Sequence, residues 1–119
     1  MNIKRINRIS EEVKKLVSQL LYNGIKDPRI NTMTTVTRVE VTRDLSFANI
    51  YISVLGDEEA KKDAIEGLTS AKGFIRKEIG RNLDLRHVPE PRFHLDESIE
   101  QAIHMSELIK ELNQDLKDE

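Results

Sequence analysis

The sequence predicts a single α+β domain, and three features of the 119 residues predict it. An opening segment has helical apolar periodicity, two consecutive β-branched segments alternate about a short turn, and a later helical pair is interrupted at Ala71-Lys72-Gly73. A chain of this length buries roughly two-thirds of its unfolded surface, enough for one core. No internal repeat, low-complexity tract or linker divides it.

From Ile6 the apolar residues Ile9, Val13, Leu16 and Leu20 follow at helical steps, and Val17 and Leu21 widen the stripe. This helix is expected to end near Tyr22, with Gly24 as cap or breaker and Asp27-Pro28 preventing continuation. Residues 34–42 read as a half-buried strand with Thr35, Thr37, Val39 and Val41 on one side; Val36 breaks the alternation and marks a bulge. Asp44-Leu45-Ser46 reads as a polar turn into a second strand whose inner face is Ala48, Ile50, Ile52 and Val54, making an antiparallel hairpin.

Asp57 is placed to cap a helix that buries Ala60, Ala64, Ile65 and Leu68. The chain then breaks at Ala71-Lys72-Gly73 and restarts after Gly73 at a new angle, with Phe74, Ile75, Ile79 and Leu83 as its apolar set. Pro89 and Pro91 bracket a rigid connector into a short strand at residues 92–96, at an edge or a strand start. Ser98 is placed to cap a last helix carrying Ile99, Ala102, Ile103, Ile109, Leu112 and Leu116, expected to dock at its start and fray toward Asp118.

Charge is distributed unevenly. The total is -2, but residues 1–43 hold nine Lys/Arg against four Asp/Glu, residues 44–95 eight against nine, and residues 96–119 two against eight. Without its last segment the chain is basic. It has no cysteine, which excludes disulfides and thiolate metal sites and suits a reducing cytoplasm. No signal-peptide pattern or membrane-spanning run is read, so a soluble cytoplasmic protein is expected.

Catalysis is not expected. His87, His94 and His104 are scattered at no metal-binding spacing and read as structural or surface histidines, while Asp57, Glu58 and Glu59 suit a helix N-terminus. The basic residues offer more. Lys4, Arg8 and Lys15 fall on one side of the first helix, opposite its apolar stripe, although Glu11 and Glu12 are near enough to make this a merely solvated face. Lys72, Arg76, Lys77, Arg81, Arg86 and Arg92 surround the break and lead into the third strand; simple pairing of Arg76 or Lys77 with Glu78 or Glu66 is the bland alternative. Phe47, Phe74 and Phe93 are assigned to the core, leaving Tyr51 as the one aromatic to test for base contact, so recognition should lean on shape and phosphates.

In order along the chain, several patterns resemble the ribosome-binding factor A family over essentially its whole length. They are the helix over residues 5–20, Lys26-Asp27-Pro28-Arg29-Ile30, and the hairpin Val39-Glu40-Val41-Thr42-Arg43-Asp44-Leu45-Ser46-Phe47-Ala48. Ala71-Lys72-Gly73-Phe74-Ile75-Arg76 is similar to the family's Ala-x-Gly kink, which stands where ordinary KH domains of this topology carry Gly-x-x-Gly. Leu85-Arg86, Pro89-Glu90, Phe93 and Asp96-Glu97-Ser98-Ile99 complete the match, whereas Pro91 and Ala102 depart from its usual apolar residue and Gly.

The resemblance implies a type II KH-like domain over residues 1–96, a three-stranded sheet with helices on one face, and an acidic helix or tail over 97–119. It implies a monomeric factor that binds 16S ribosomal RNA in the small (30S) subunit during maturation and 16S processing, contributes to cold adaptation, and needs no cofactor, metal or membrane. An assembly GTPase is a further candidate partner. The RNA-contacting candidates are then Lys4, Arg8, Lys15, Lys72, Arg76, Lys77, Arg81 and Arg86, with Ala71 and Gly73 forming the kink. The rival readings are a generic KH-like RNA chaperone or regulator, and an enzyme or dimeric module using the open sheet around Tyr51.

Overall fold

A computed structural model describes residues 2–23, 25–30 and 33–117. Gly24 and Asp118, where a helix stop and fraying were expected, lie outside the described residues. The elements are α1 (Ile3–Asn23), β1 (Thr34–Val41), β2 (Phe47–Val54), α2 (Glu58–Ser70), α3 (Lys72–Asn82), β3 (Glu90–Leu95) and α4 (Ser98–Lys117). Among the described residues no helix is long and apolar enough to cross a membrane.

The strands form one sheet in the order β1-β2-β3, β1 antiparallel and β3 parallel to β2. A parallel neighbour needs a long crossover, and α2 with α3 supplies it. β2 alternates strictly, with Ala48, Ile50, Ile52 and Val54 buried as its pattern requires. β1 differs from the simple alternation. Its register shifts between Val36 and Arg38, so the extra residue is Thr37 and it resets the parity; Val36, Val39 and Val41 turn inward and Thr35 is exposed. Val36 is thus core, and Thr35 and Thr37 are not its partners on the inner face.

The Thr37 hydroxyl donates to the Asp96 carboxylate at 2.6 Å, and the other Asp96 oxygen accepts from the Ser98 N–H at 3.0 Å. These donors, the Ser98 contact foremost, hold the Asp96 carboxyl down at about 2 against the usual 3.8. Pro91 is buried on β3, which is an edge strand and tolerates the missing donor.

The hairpin turn is less polar than it reads. Leu45 adopts φ 60 yet is buried, its N–H bonding the Thr42 carbonyl at 2.9 Å. A left-handed leucine costs about 1–2 kcal/mol, and burying its side chain offsets this by about 1.5–3 kcal/mol. Asp44 closes the turn by accepting from the Ser46 N–H at 3.0 Å and the Thr42 hydroxyl at 2.8 Å, with Ser46 the main cause of its carboxyl lying at about 2.

Helix α1 lies on β1 through Ile6, Ile9, Val13 and Val17, and the buried Ser10 hydroxyl oxygen accepts the Val41 N–H at 3.1 Å. Helix α2 begins at Asp57, whose carboxylate accepts the Ala60 N–H at 2.8 Å, and buries Ala64, Gly67 and Leu68. Ile75 and Ile79 carry α3 into the same core. The Asp27-Pro28-Arg29 loop is closed by Asp27, which takes the Arg29 N–H at 2.9 Å and its guanidinium at 2.7 Å; that side-chain bond above all lowers the Asp27 carboxyl to about 2. Ile30, after this loop, presses on α2, because a Cβ built at Gly67 would lie 2.8 Å from Ile30 Cγ1.

Helix α4 docks less than its apolar stripe suggested. Its start is fixed by Lys61 of α2, only 6% exposed, whose ammonium lies 2.8 Å from Glu100, 3.5 Å from Glu58 and 3.7 Å from Glu97. Ile99, Ile103, Met105, Leu108, Ile109 and Leu112 are all exposed, between 40% and 63%. The ionic latch brings the acidic side of the helix start to α2, and the apolar stripe beyond it lies open.

Candidate nucleic-acid interface

The joint between α2 and α3 is a single residue. Ala71 ends α2 and begins α3 at φ −87, ψ 2, the sparsely populated bridge region. Its N–H returns to the Gly67 and Leu68 carbonyls at 3.1 Å, and its own carbonyl accepts the Ile75 N–H at 2.9 Å. Backbone bonding therefore runs through the bend with one small side chain packed beneath it. Helix α3 starts at Lys72, earlier than the restart expected after Gly73, which lies in the first turn of α3. The bend is made by Ala71. A Cβ at Gly73 would meet nothing within 4 Å, so the fold itself does not require glycine there.

The basic residues of α3 divide between two sides. Lys72 and Arg76 lean on the connector into β3: Lys72 pairs with Glu90 at 3.3 Å, and Arg76 donates to the Val88 carbonyl at 3.1 Å. Lys77 and Arg81 lie on the outer side; Arg81 pairs with Glu78 at 3.1 Å, while Lys77 has no ion pair among the described residues. The bland alternative, Arg76 or Lys77 held by Glu78 or Glu66, is not the arrangement adopted; Glu78 takes Arg81. Exposed pairs such as these hold a cation in place weakly, so a phosphate competes readily for it.

On α1, Lys4, Arg8 and Lys15 are exposed, and none forms an ion pair among the described residues, Glu11 and Glu12 included. Arg8 with Arg5 and Glu12 lines an open cleft against Asn82, Leu83, Asp84 and Leu85, and Lys15 faces Asn82 and Leu83 in the next one. The ridge on α1 therefore meets the C-terminal end of α3, with Arg86 exposed just beyond. From Lys72 to Arg81 a helix rises roughly 14 Å. The eight candidates are thus spread in a loose band over α1, both sides of α3 and the segment beyond it, not gathered in one pocket. Arg92, also read as part of the cluster, lies 3.4 Å over the Phe47 ring on the sheet face and is engaged there.

The histidines occupy three different places: His87 in the connector, His94 on β3 bonded to Asn49 at 2.9 Å, and His104 on α4. Such a band has the means to hold a polyanion by its phosphates along an extended track.

Comparison with known proteins decides the family. The model of ribosome-binding factor A matches residues 5–109. This chain belongs to the ribosome-binding factor A family. The Finegoldia magna member is 53% identical over 116 residues, covering 97% of this chain and 96% of that one. The Alkaliphilus metalliredigens member is 51% identical over 115 residues, covering 97% and 83%.

Among solved structures of the family, the Thermotoga maritima solution structure superposes with a TM-score of 0.69 at 36% identity, over 79% of this chain and 89% of that one. A homology model of the Thermus thermophilus factor, fitted into a cryo-EM map of a 30S complex, is similar at TM-score 0.60 and 22% identity over 74% of this chain and 91% of that one, a likeness of fold. The fold is the type II KH-like arrangement expected, α-β-β-α-bend-α-β with one more helix.

Two residues beside the candidate cations stand differently from the sequence expectation or outside it. Phe74, assigned to the core, is 44% exposed. The signal was present: Ile75, Ile79 and Leu83 fix the buried stripe, and Phe74 lies about 100° from Ile75 around the helix. Arg5, three residues before Arg8, was passed over although it shares the cleft with it.

Proposed function

We propose that this protein binds the small ribosomal subunit during its maturation, holding 16S ribosomal RNA phosphates with the band of Lys4, Arg8, Lys15, Lys72, Arg76, Lys77, Arg81 and Arg86 and carrying out no chemical step. One observation supports the reading above the others: the cationic ridge of α1 meets the C-terminal end of α3, whose own cations are unpaired or held only in surface contacts. Family membership, and a relative's model fitted into a 30S complex map, support the small subunit as the partner and the bacterial cytoplasm as the setting.

Phosphate contacts position the protein without reading sequence, so its preference comes from RNA shape. Affinity that is greater for an immature RNA arrangement than for the mature one stabilises the former and releases the protein as maturation proceeds. Ala71 sets the angle between α2 and α3 and so the curve of the track. We extend the proposal to 16S processing and to growth in the cold, where misfolded RNA persists longer and such a preference would count most.

The test is sedimentation with purified small subunits across a salt series. Arg8→Gln with Lys15→Gln, and separately Arg76→Gln with Lys77→Gln, should each weaken binding and lower the slope of log affinity against log salt by about 2. Unchanged affinity and slope in both double variants rule the track out.

A further inference from the structure

We propose that Phe74 is a stacking platform for an unpaired RNA base whose neighbouring phosphate sits on Lys77; this rests on the RNA interface proposed above and adds a base contact to it. Three observations converge. Phe74 stands 44% exposed on the side of α3 that carries Lys77 and Arg81, while the stripe beside it, Ile75 and Ile79, is fully buried. Gly73, immediately before it, leaves open space where any other residue would place a Cβ, although glycine weakens a helix. Lys77, one turn on from both, has no ion pair among the described residues, whereas Lys72 and Arg81 do.

A single exposed aromatic is ordinary by itself. An exposed ring with a clear approach beside it and an unengaged ammonium at three residues' helical spacing, about 5–6 Å between Cβ atoms, is the pair of contacts that one nucleotide offers. The other rings are occupied or remote. Tyr51 stacks on His94 at 5.1 Å and is covered by Arg38 at 4.1 Å. Phe47 is covered by Arg92, and Phe93 packs against the core. Tyr22 is exposed at the last turn of α1, where it lines one cleft with Arg8 and Lys15 and another with Ile30 and Thr34; it stands with the α1 cations and not with those of α3.

Small subunits are the probe, and the full chain is used throughout. Phe74→Trp, Phe74→Leu and Phe74→Ala should all keep the wild-type melting temperature, because the ring contributes little to the core. Stacking tolerates any π face, so Trp should bind at least as tightly as Phe, while Leu and Ala lose about 5- to 150-fold. Base-specific chemical probing at saturation should find an unpaired base protected by wild type and Phe74→Trp and reactive with Phe74→Leu.

Leu binding as well as Phe, or Trp binding worse than Leu, assigns the ring to an apolar protein pocket and overturns stacking. Ala binding like wild type overturns any contact. If the Arg76/Lys77 double variant loses binding while Phe74→Ala does not, the platform falls and the interface stands. If neither loses binding, both fall.

Discussion

The same substitution, glycine to alanine, should have opposite effects on stability at two positions of the α2–α3 pair. At Gly73 a new Cβ meets nothing within 4 Å, and the backbone is not in the left-handed region. The intrinsic gain of alanine over glycine in a helix, about 0.5–1 kcal/mol, is then realised nearly in full. For a domain of this size that raises the melting temperature by roughly 2–5 °C. At Gly67 the intrinsic gain is the same, but the Cβ would lie 2.8 Å from Ile30 Cγ1 and 3.3 Å from Arg29 Cβ.

Pushing that loop off α2 costs about 1–3 kcal/mol, so the net is a loss. Thermal and urea unfolding of the two single variants give the signs, and subunit sedimentation gives the functional half. Gly73→Ala should be more stable than wild type and bind subunits several-fold more weakly, because the added methyl would stand in the open approach beside Phe74. Equal signs of the two stability changes would refute the packing argument. A stabilised Gly73→Ala with full binding would refute the functional one.

Leu45→Gly relieves about 1–2 kcal/mol of left-handed strain but empties a buried site worth about 2–4 kcal/mol, so denaturant titration should find a net loss of roughly 1–2 kcal/mol; a gain would mean that the side chain contributes little to the core. Ending the chain after Gln101 keeps Glu97 and Glu100 beside Lys61 and removes residues 102–114, whose side chains are exposed, with the remainder of the chain, so the melting temperature should move by less than about 2 °C. A fall well beyond that would show α4 packed on the domain in solution.

Asp27, Asp44 and Asp96 each titrate at about 2 in the fold against 3.8. Their native pKa values are depressed, so their stabilisation is present in full above the unfolded value and is lost as pH falls from about 4 toward 2. Asp44→Asn should flatten part of that acid limb in a pH series of urea midpoints; an unaltered limb would remove Asp44 from the account.

Elements were legible wherever periodicity was strong. The steps Ile6, Ile9, Val13 and the alternation Ala48, Ile50, Ile52, Val54 each allow one burial pattern only, and the structure adopts it. Side-chain parity in β1 was not legible, because a bulge at Thr37 or at Val36 fits the same letters; the choice is made by the Thr37 hydroxyl finding Asp96, 59 residues away. Leu45 read as part of a polar turn because nothing local says that its side chain reaches the core. Strand order was equally hidden, since pairing of β2 with β3 depends on how the crossover folds back. For α4 the apolar stripe was real but its burial was not, and the partner that decides its direction, Lys61, is distant in sequence. The candidate band was legible as residue types on helix faces; which cations were already engaged was not.

A net charge of -2 argues against an RNA binder only if the acids are felt where RNA would lie. Lys61, which holds Glu97 and Glu100 at the start of α4, stands in the first turn of α2, whereas the bend at Ala71 follows its last. Ten residues of helix separate them, roughly 15 Å, against a screening length of about 8 Å at physiological salt. The latched acids therefore lie nearly two screening lengths from the bend, and much of their charge is already answered by Lys61. A polyanion at Lys72, Arg76 and Lys77 meets a locally positive surface, whatever the sum over the chain. The salt dependence of binding should accordingly follow the α1 and α3 cations and be indifferent to neutralising Glu107 and Glu111, which stand farther along α4 than the latch; a steeper salt slope in a variant lacking those two acids would mean that α4 lies against the RNA track.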